Sequence, residues 1–323
     1  MASPSKPALA GDRRVVLLAG GVGGAKLADG LQQVLEPGNL TVVVNTGDDF
    51  ERHGLLISPD HDTVMYTLAG IANRVQGWGI EDDTFAAFDM LGKLGEETWF
   101  RLGDRDLAVH VTRTCRLQEG RRPTEVSRDL QRSLGVPSTI LPMSDESVRT
   151  RIRTDDGWLA FQEYFVLRHQ EPVVREVCFD GVEVAGATPE VLAAFAEADA
   201  VVIGPSNPIV SIGPILAVGG IRGAIGAARK RGALVAAVSG IVGGRALRGP
   251  ADRMLSSLGH EATALGVARL YADLADLFVL DRADSALEPA IAALGVATRT
   301  TDTVITDGPA RRRLAATILE GLD

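Results

Sequence analysis

The chain has 323 residues, of which 46% are hydrophobic and 23% charged, and 42 acidic against 33 basic side chains leave a formal net charge of −9. This composition is typical of a globular protein large enough for one large domain or two ordinary ones. The negative charge argues against a general nucleic-acid binder, because phosphate contacts require a basic surface.

Three features of the sequence predict a cytoplasmic protein without a membrane span. Residues 1–13 contain no apolar segment, so we expect a flexible tail and not a signal peptide. Cys115 and Cys178 lie far apart and in no CxxC spacing, which argues against a disulfide or zinc framework. Residues 200–221 carry no charge, but their prolines and glycines rule out a continuous apolar helix.

The chain begins with the pattern of a strand–helix–strand unit. Val15–Ala19 is a short apolar run of the kind buried in parallel sheets. Glycines follow it, and then leucines at helical spacing, which predict a helix that ends at Pro37 and Gly38. Leu40–Val44 is the next predicted strand, so these residues form a βαβ unit.

The same alternation returns in the last third of the chain. The patterns predict helices over residues 191–196, 215–231 and 261–273, each followed by a strand (200–203, 234–238 and 277–280), and a final helix over residues 309–322.

The middle of the chain has a different pattern. Helices are predicted over residues 63–74, 84–91, 106–118 and 123–134, and residues 149–180, including 163–166, alternate like short antiparallel strands. We therefore predict an α/β fold, a Rossmann-like doubly wound and mainly parallel sheet with an inserted helical and small β subdomain. Residues 14–62 and 187–323 would form the core, and residues 63–186 the insertion.

A glycine-rich loop directly follows the first predicted strand and opens a helix. Backbone N–H groups in such a loop can face an anion, with the helix dipole favouring negative charge. Leu27 stands where a Walker A motif needs Ser or Thr, and Lys26 breaks the dinucleotide fingerprint. Phosphate binding is therefore predicted, without hydride chemistry. The candidate residues are Gly20, Gly21, Gly23, Gly24 and Lys26.

Four aspartates lie in two neighbouring loops, where the chain leaves the second strand. Asp48 and Asp49 come directly after it, and Asp60 and Asp62 follow in the segment SPDHDT. Such a group suits Mg²⁺, which typically takes one or two carboxylates together with substrate phosphates. The alternative is structural: Asp62 would cap a helix, and Asp48 and Asp49 would form a turn. The histidines nearby match no standard zinc site.

Two later loops also follow predicted strands. One contains Ser206, Asn207 and Pro208, and the other contains Gly243 with Arg248 close behind it. Because the carboxyl ends of parallel strands share one edge of a sheet, both loops are expected beside the glycine-rich loop, in a nucleotide cleft. A further segment, LGDRDL, holds Arg105 between acids at a helix entry, where Asp104 or Asp106 can cap.

These segments together resemble the CofD/FbiA family, in matching order from about residue 15 to residue 321. The specific strings are SPDHDT at 58–63, LGDRDL at 102–107 and GPSNPIVSIGP at 204–214. The resemblance implies a Mg²⁺-dependent transferase of coenzyme F420 biosynthesis. Its donor would be a guanosine-diphospho-carboxylate carrying phospholactate or enolpyruvyl phosphate, its acceptor the terminal (5′) ribityl hydroxyl of the deazaflavin Fo, and its by-product GMP.

The resemblance also implies roles for particular residues. Fo-contacting positions would be Asp62, Arg105 and Lys93. The metal would be held among Asp48, Asp49, Asp60 and Asp62. As a mechanistic hypothesis beside the resemblance, Asp48, Asp49 and Asp62 are the catalytic candidates, with Asp48 or Asp49 accepting the hydroxyl proton. The nucleotide side would comprise the glycine-loop residues named above with Ser206, Asn207, Pro208, Gly243 and Arg248.

Two alternatives remain at the level of the sequence. A nucleotide-sugar or NAD-type α/β enzyme is disfavoured by the broken fingerprint. A nucleotide-binding regulatory relative without transferase activity would have no need of an acidic cluster beside an acceptor pocket. Apolar helices in the insertion lead us to expect a homodimer. The sequence leaves the donor carboxylate open among phospholactate, phosphoenolpyruvate and phosphoglycerate.

Overall fold

The protein is described here by a computed structural model, which covers residues 12–320. The predicted tail, residues 1–13, therefore lies almost wholly outside the described residues. The strands are β1 (Val15–Ala19), β2 (Leu40–Val44), β3 (Phe50–Arg52), β4 (Leu55–Ile57), β5 (Thr139–Pro142), β6 (Arg149–Thr154), β7 (Gly157–Ala160), β8 (Glu176–Asp180), β9 (Ala200–Ile203), β10 (Leu234–Val238), β11 (Ile241–Val242), β12 (Arg245–Ala246), β13 (Leu277–Asp281) and β14 (Ala297–Thr301).

The helices carry the intervening segments and continue to the end of the described chain. They are α1 (Gly21–Val34), α2 (Pro59–Leu68), α3 (Ala86–Lys93), α4 (Asp104–Gln118), α5 (Pro123–Ser133), α6 (Pro189–Glu197), α7 (Gly213–Ala217), α8 (Ile221–Lys230), α9 (Ala251–Ser257), α10 (Ala264–Tyr271), α11 (Glu288–Ala292) and α12 (Gly308–Leu319). Within residues 12–320, no helix combines the length and the apolar character that a membrane span requires.

Seven parallel strands form the central sheet, in the order β14-β13-β10-β9-β1-β2-β5. Successive residues of β1 face opposite sides, so Val16 and Leu18 join one apolar core while Val15 and Leu17 join the other. Helices α1, α2, α5 and α12 cover one face, and α6, α8, α10 and α11 cover the other. The predicted doubly wound α/β fold is confirmed.

Four details differ from the predicted elements. β5 lies within the range assigned to the insertion but pairs with β2 in the central sheet, and β14, which was not predicted, extends the opposite edge. Residues 163–167 form a π-helical turn and not a strand, because Tyr164 and neighbouring apolar side chains pack into a small core on one side. The helix predicted over residues 215–231 is broken at Gly220, whose φ of +92° interrupts the helical path.

Candidate active site

The centre of the sheet is its topological switch point. The chain leaves β1 towards β2 on one side and, much later, leaves β9 towards β10 on the other. The loops after these two adjacent strands therefore diverge, and ligands of open α/β sheets bind in the crevice between them. The glycine-rich loop follows β1, and the loop with Ser206 follows β9, so both lie at the edge of the sheet predicted from the sequence.

The two loops are joined directly. The backbone N–H of Gly20 donates to Ser206 Oγ at 3.0 Å, and that hydroxyl donates to the carbonyl of Gly20 at 2.8 Å. A Cβ on Gly23 would lie 2.6 Å from the carbonyl oxygen of Pro205, so only glycine allows this approach. Part of the glycine pattern is thus explained by loop packing.

A carboxylate occupies the start of α1, where a phosphate was expected. The backbone N–H of Gly21 donates to Asp60, and a Cβ on Gly20 would lie 2.5 Å from Asp60 Oδ2. Asn45, the first residue after β2, donates from Nδ2 to the same Asp60 oxygen at 2.9 Å. The site at this helix N-terminus already accommodates one negative charge of the protein itself.

Asp48 and Asp60 form what we call the sheet-edge pair. Both are buried, and burial raises the pKa of Asp60 to about 6. Burial, and then the charge of Asp60, raise the pKa of Asp48 well above its ordinary value. Among the described residues, Asp48 Oδ1 has no hydrogen-bond partner. No cation in the described part of the chain offsets these two buried carboxylates, so they fit a divalent metal ion, which would supply the missing charge.

Asp49, the next residue after Asp48, lines a cavity beside this loop. The cavity, of about 160 Å³, lies beyond the carboxyl ends of β2 and β5 and is also lined by Arg113 and Arg149. Asp49 Oδ2 accepts a hydrogen bond from Ser58 Oγ at 2.9 Å, whereas Oδ1 is unpartnered within residues 12–320. Burial raises the pKa of Asp49 to about 7, despite the opposing charge of Arg149.

Asp62 has a different environment from the other three aspartates. Its carboxylate forms a close ion pair with the buried Arg113 guanidinium. His110 Nδ1 lies 3.6 Å from the other carboxylate oxygen. Burial alone would raise the pKa of Asp62, but Arg113, His61 and His110 together hold it below its usual range.

We call Asp62, Asp106, His110 and Arg113 the helix-side group, because it joins α2 to α4. His110 Nε2 lies 3.2 Å from Asp106 Oδ1, which also accepts a hydrogen bond from Tyr66 at 2.6 Å. Asp62, Asp106 and His110 can each offer one ligand atom within 4.8 Å of the others. No group of three that includes Asp48, Asp49 or Asp60 meets the same criterion among the described residues, so the four predicted aspartates do not form one compact ligand set.

The polar groups of several predicted nucleotide residues have partners within the protein. Lys26 Nζ donates to the carbonyl of Ile305 at 2.8 Å, and burial, followed by Arg248 and Arg311, lowers the pKa of Lys26. Asn207 caps the π-helical turn at 208–212. The N–H of Gly243 donates to Asp284, and Arg248 donates to the carbonyl of Gln76.

The predicted Fo contacts are not brought together. Arg105 is exposed in the first turn of α4, where it donates to the carbonyl of Glu81, and Lys93 is exposed at the end of α3. Arg105 and Arg113 are eight positions apart, so about 12 Å of helix separates Arg105 from the residue that binds Asp62. Asp83, not Asp104 or Asp106, accepts the first N–H groups of α4, while Asp104 caps α3.

Several residues of the site were not assigned by the sequence analysis. Asn45, directly after β2, was given no role from the sequence, and His110 and Arg113 fell within a predicted helix without a role. The sequence does contain a signal for them, because Asp106, His110 and Arg113 have the i, i+4, i+7 spacing of one helix face. Three charged or titratable side chains along one buried face indicate a polar network.

Comparison with known proteins shows that the chain is similar to one family over most of its length. The family model described as "2-phospho-L-lactate transferase CofD" matches residues 15–317. The 2-phospho-L-lactate transferase of Methanosarcina mazei is 40% identical over 306 residues, which cover 95% of this chain and 99% of that protein. The phosphoenolpyruvate transferase of Kitasatospora aureofaciens is 42% identical over 313 residues, covering 95% and 97%.

A solved structure has the same fold at much lower identity. A protein of the UPF0052 family from Bacillus halodurans superposes with a TM-score of 0.62, covering 95% of this chain and 99% of that chain, at 16% identity. This likeness supports the architecture described above.

Proposed function

Because the chain belongs to the CofD family of transferases, we propose that it moves a phospho-carboxylate unit from a guanosine-diphospho-carboxylate to the terminal ribityl hydroxyl of Fo. GMP would be released, and the product would be a phosphodiester of the F420 type. One observation carries this proposal beyond the family. A buried pair of carboxylates, which no cation among the described residues offsets, lies at the switch-point crevice, where a diphosphate and its metal ion can be held together.

Asp48 and Asp60 are the residues that would hold Mg²⁺. When bound, the ion neutralises charge that develops on the diphosphate during transfer. Asp60 already lies at the N–H of Gly21, so the glycine-rich loop and a metal bound by Asp60 would face the same phosphates. The loops with Ser206 and Gly243 leave neighbouring strands at this edge and would form the nucleotide side of the cleft.

Asp49 would accept the proton of the attacking hydroxyl. A general base works best with a pKa near the working pH, and burial raises the pKa of Asp49 to about 7. Its Oδ1 is unpartnered among the described residues and is free to accept that proton. In the reaction, the ribityl oxygen bonds to the phosphorus next to the carboxylate-bearing unit, the P–O bond to GMP breaks, and the proton moves to Asp49.

The proposal is tested by one parallel assay. Purified protein, Fo and Mg²⁺ are incubated with guanylated lactate, enolpyruvate or glycerate donors, and mass spectrometry detects GMP and the phosphodiester product. We expect product with at least one donor and none without Mg²⁺. Binding of GDP and Fo without product from any donor would instead identify a regulatory relative of the same fold. Size-exclusion chromatography with light scattering tests the expected homodimer in the same preparation.

A further inference from the structure

We propose that Arg113 is a positioning residue that keeps divalent metal out of the helix-side group and so directs it to Asp48 and Asp60. This inference rests on the proposed function for the metal at the sheet-edge pair. Its first part, the exclusion of metal from Asp62, Asp106 and His110, depends only on the contacts of those residues. The two parts are tested separately below.

The helix-side group has the composition of a metal site. Two carboxylates and an imidazole approach one another closely enough for their ligand atoms to share one ion, and all three residues are buried. Asp62 Oδ2 and His110 Nε2 have no hydrogen-bond partner within the described chain. An imidazole among carboxylates suits zinc, cobalt or nickel better than magnesium, which prefers oxygen ligands.

Arg113 blocks the atoms that a metal would use. One of its N–H groups binds Asp62 Oδ1, and another lies 3.1 Å from His110 Nδ1. An arginine side chain can only donate hydrogen bonds, so Nδ1 must be the acceptor and its lone pair is occupied. With Nδ1 as the acceptor, the N–H of the ring lies on Nε2, which faces Asp106. A ligating histidine needs a free lone pair, and neither ring nitrogen offers one here.

The charge of Arg113 acts in the same direction as its contacts. The guanidinium is fully charged at all working pH values and is almost completely buried beside two of the three candidate ligands. A second cation in this space would be repelled at short range in a medium of low polarity. Within residues 12–320, no cation acts on the sheet-edge pair in this way. Arg113 therefore balances the acidic charge of the helix-side group, whereas the sheet-edge pair is available to bind a metal ion.

Removing Arg113 is expected to create a new metal site. In Arg113→Met, the Asp62 oxygen and the Nδ1 lone pair are released without a large change in side-chain volume. We expect this variant to bind an additional equivalent of Co²⁺ or Zn²⁺ relative to the unmodified protein, measured by equilibrium dialysis and calorimetry. Its melting temperature should rise with Co²⁺ concentration, because ligands that bind only the folded state stabilise it.

Two further variants keep the test decisive if Arg113→Met folds poorly. Arg113→Lys retains the buried charge and should still exclude Co²⁺, with transferase activity above that of the Met variant. Arg113→Met combined with His110→Ala removes one ligand and should lose the additional equivalent. Arg116→Met, on the same helix but in a partly exposed pair with Asp129, is the matched control and should bind metal like the unmodified protein.

Activity separates the positioning role from a purely structural one. With Mg²⁺ and substrates at saturation, kcat of Arg113→Met should fall about 10- to 100-fold, as is common for residues that orient a metal site from outside it. Low concentrations of Co²⁺ should lower it further. An Arg113→Met protein that folds, binds no additional Co²⁺ and keeps its kcat would overturn the inference. If the unmodified protein binds no Mn²⁺ or Mg²⁺, the proposed metal function fails, while a gained Co²⁺ site would still support the role of Arg113.

Discussion

The sheet-edge pair contains Asp60 and the helix-side group contains Asp62, only two positions away in sequence, yet the pKa values of these two aspartates are shifted in opposite directions. Asp60 and Asp62 are both buried in the first turn of α2. Burial raises the pKa of Asp60 to about 6, whereas the Arg113 guanidinium and a hydrogen bond from His61 outweigh burial and keep the pKa of Asp62 low. The helix turn directs one carboxylate to the glycine-rich loop and the other to α4.

This difference shows how a metal site can be recognised before any metal is seen. A buried carboxylate is costly unless a positive charge or several hydrogen bonds compensate it. Asp62 has that compensation from Arg113, while among the described residues Asp60 receives hydrogen bonds from Asn45 and the Gly21 N–H but no cation. The uncompensated carboxylate is therefore the one available to bind a metal ion.

The largest expected effect is on transfer by the sheet-edge pair. We predict that Asp60→Asn lowers kcat/KM by about 10³-fold or more, a loss comparable to that of other electrostatic contacts to a transition state. The melting temperature should stay the same or rise, because the neutral amide removes an uncompensated charge. Steady-state kinetics and calorimetry on one preparation measure both. An active Asp60→Asn protein would show that the metal is held elsewhere.

Asp62→Asn should show the reverse pattern in stability. The substitution leaves the buried Arg113 guanidinium without its carboxylate, and breaking one partner of a buried pair typically costs about 3–5 kcal/mol. We expect the unfolding free energy to fall by an amount of this order in denaturant titrations. Adding Arg113→Met to this variant should restore part of the loss, since the orphaned charge is removed. Equal stability of Asp60→Asn and Asp62→Asn would contradict the comparison.

Much of the fold could be predicted because it depends on local patterns. β1, β2, β9, β10 and β13 are short apolar runs between helices, and their parallel pairing follows from that alternation. The outer strands were harder to predict. β14 has the sequence ATRTT, with little apolar content, because it lies at an edge and is only partly buried. β5 was missed because four residues between helical and loop segments carry little periodic signal.

The position of the acidic site could be predicted from the sequence, but the division of its aspartates between the sheet-edge pair and the helix-side group could not. Asp48 and Asp49 after β2, with Asp60 and Asp62 in the first turn of α2, indicated an acidic cluster at this edge of the sheet. Their separation depends on Arg113, which lies 51 residues after Asp62 and reaches it only through the packing of α4 against α2. Contacts between such distant residues are not encoded in local spacing. The same holds for Asp60, which reaches the glycine-rich loop by tertiary packing.

Proton linkage should distinguish the two groups as the pH changes. Asp49 and Asp60 have pKa values raised in the folded protein to about 7 and about 6, so the folded state holds more protons than the unfolded chain between about pH 4 and pH 7. Stability therefore falls as the pH rises through this window, by roughly 1.4 kcal/mol for each unit of pKa shift. Asp62 acts in the opposite direction, and its contribution is lost as the pH falls below about 4.

Denaturant titrations of the metal-free protein at several pH values measure this dependence. Saturating Mg²⁺ should flatten the decline above pH 5, because the ion favours the ionised carboxylates. Asp60→Asn should remove its part of the decline and also the effect of Mg²⁺. A metal-free protein whose stability rises steadily from pH 4 to pH 7 would show that these carboxylates are compensated after all.

The smallest expected effect comes from disturbing the packing between the glycine-rich loop and the loop after β9, beside the sheet-edge pair. In Gly23→Ala, the new Cβ would lie 2.6 Å from the backbone oxygen of Pro205, so one loop must shift at a cost of about 1–3 kcal/mol. Gly223→Ala is the matched control, because that glycine lies in α8 with open space around it. The control should gain about 0.4–1 kcal/mol. If position 23 requires glycine because of loop packing and not because of chain flexibility, Gly23→Ala should also weaken GDP binding, because it changes the shape of the crevice. Gly223→Ala should leave GDP binding unchanged. Equal binding by both variants would mean that the glycine serves folding alone.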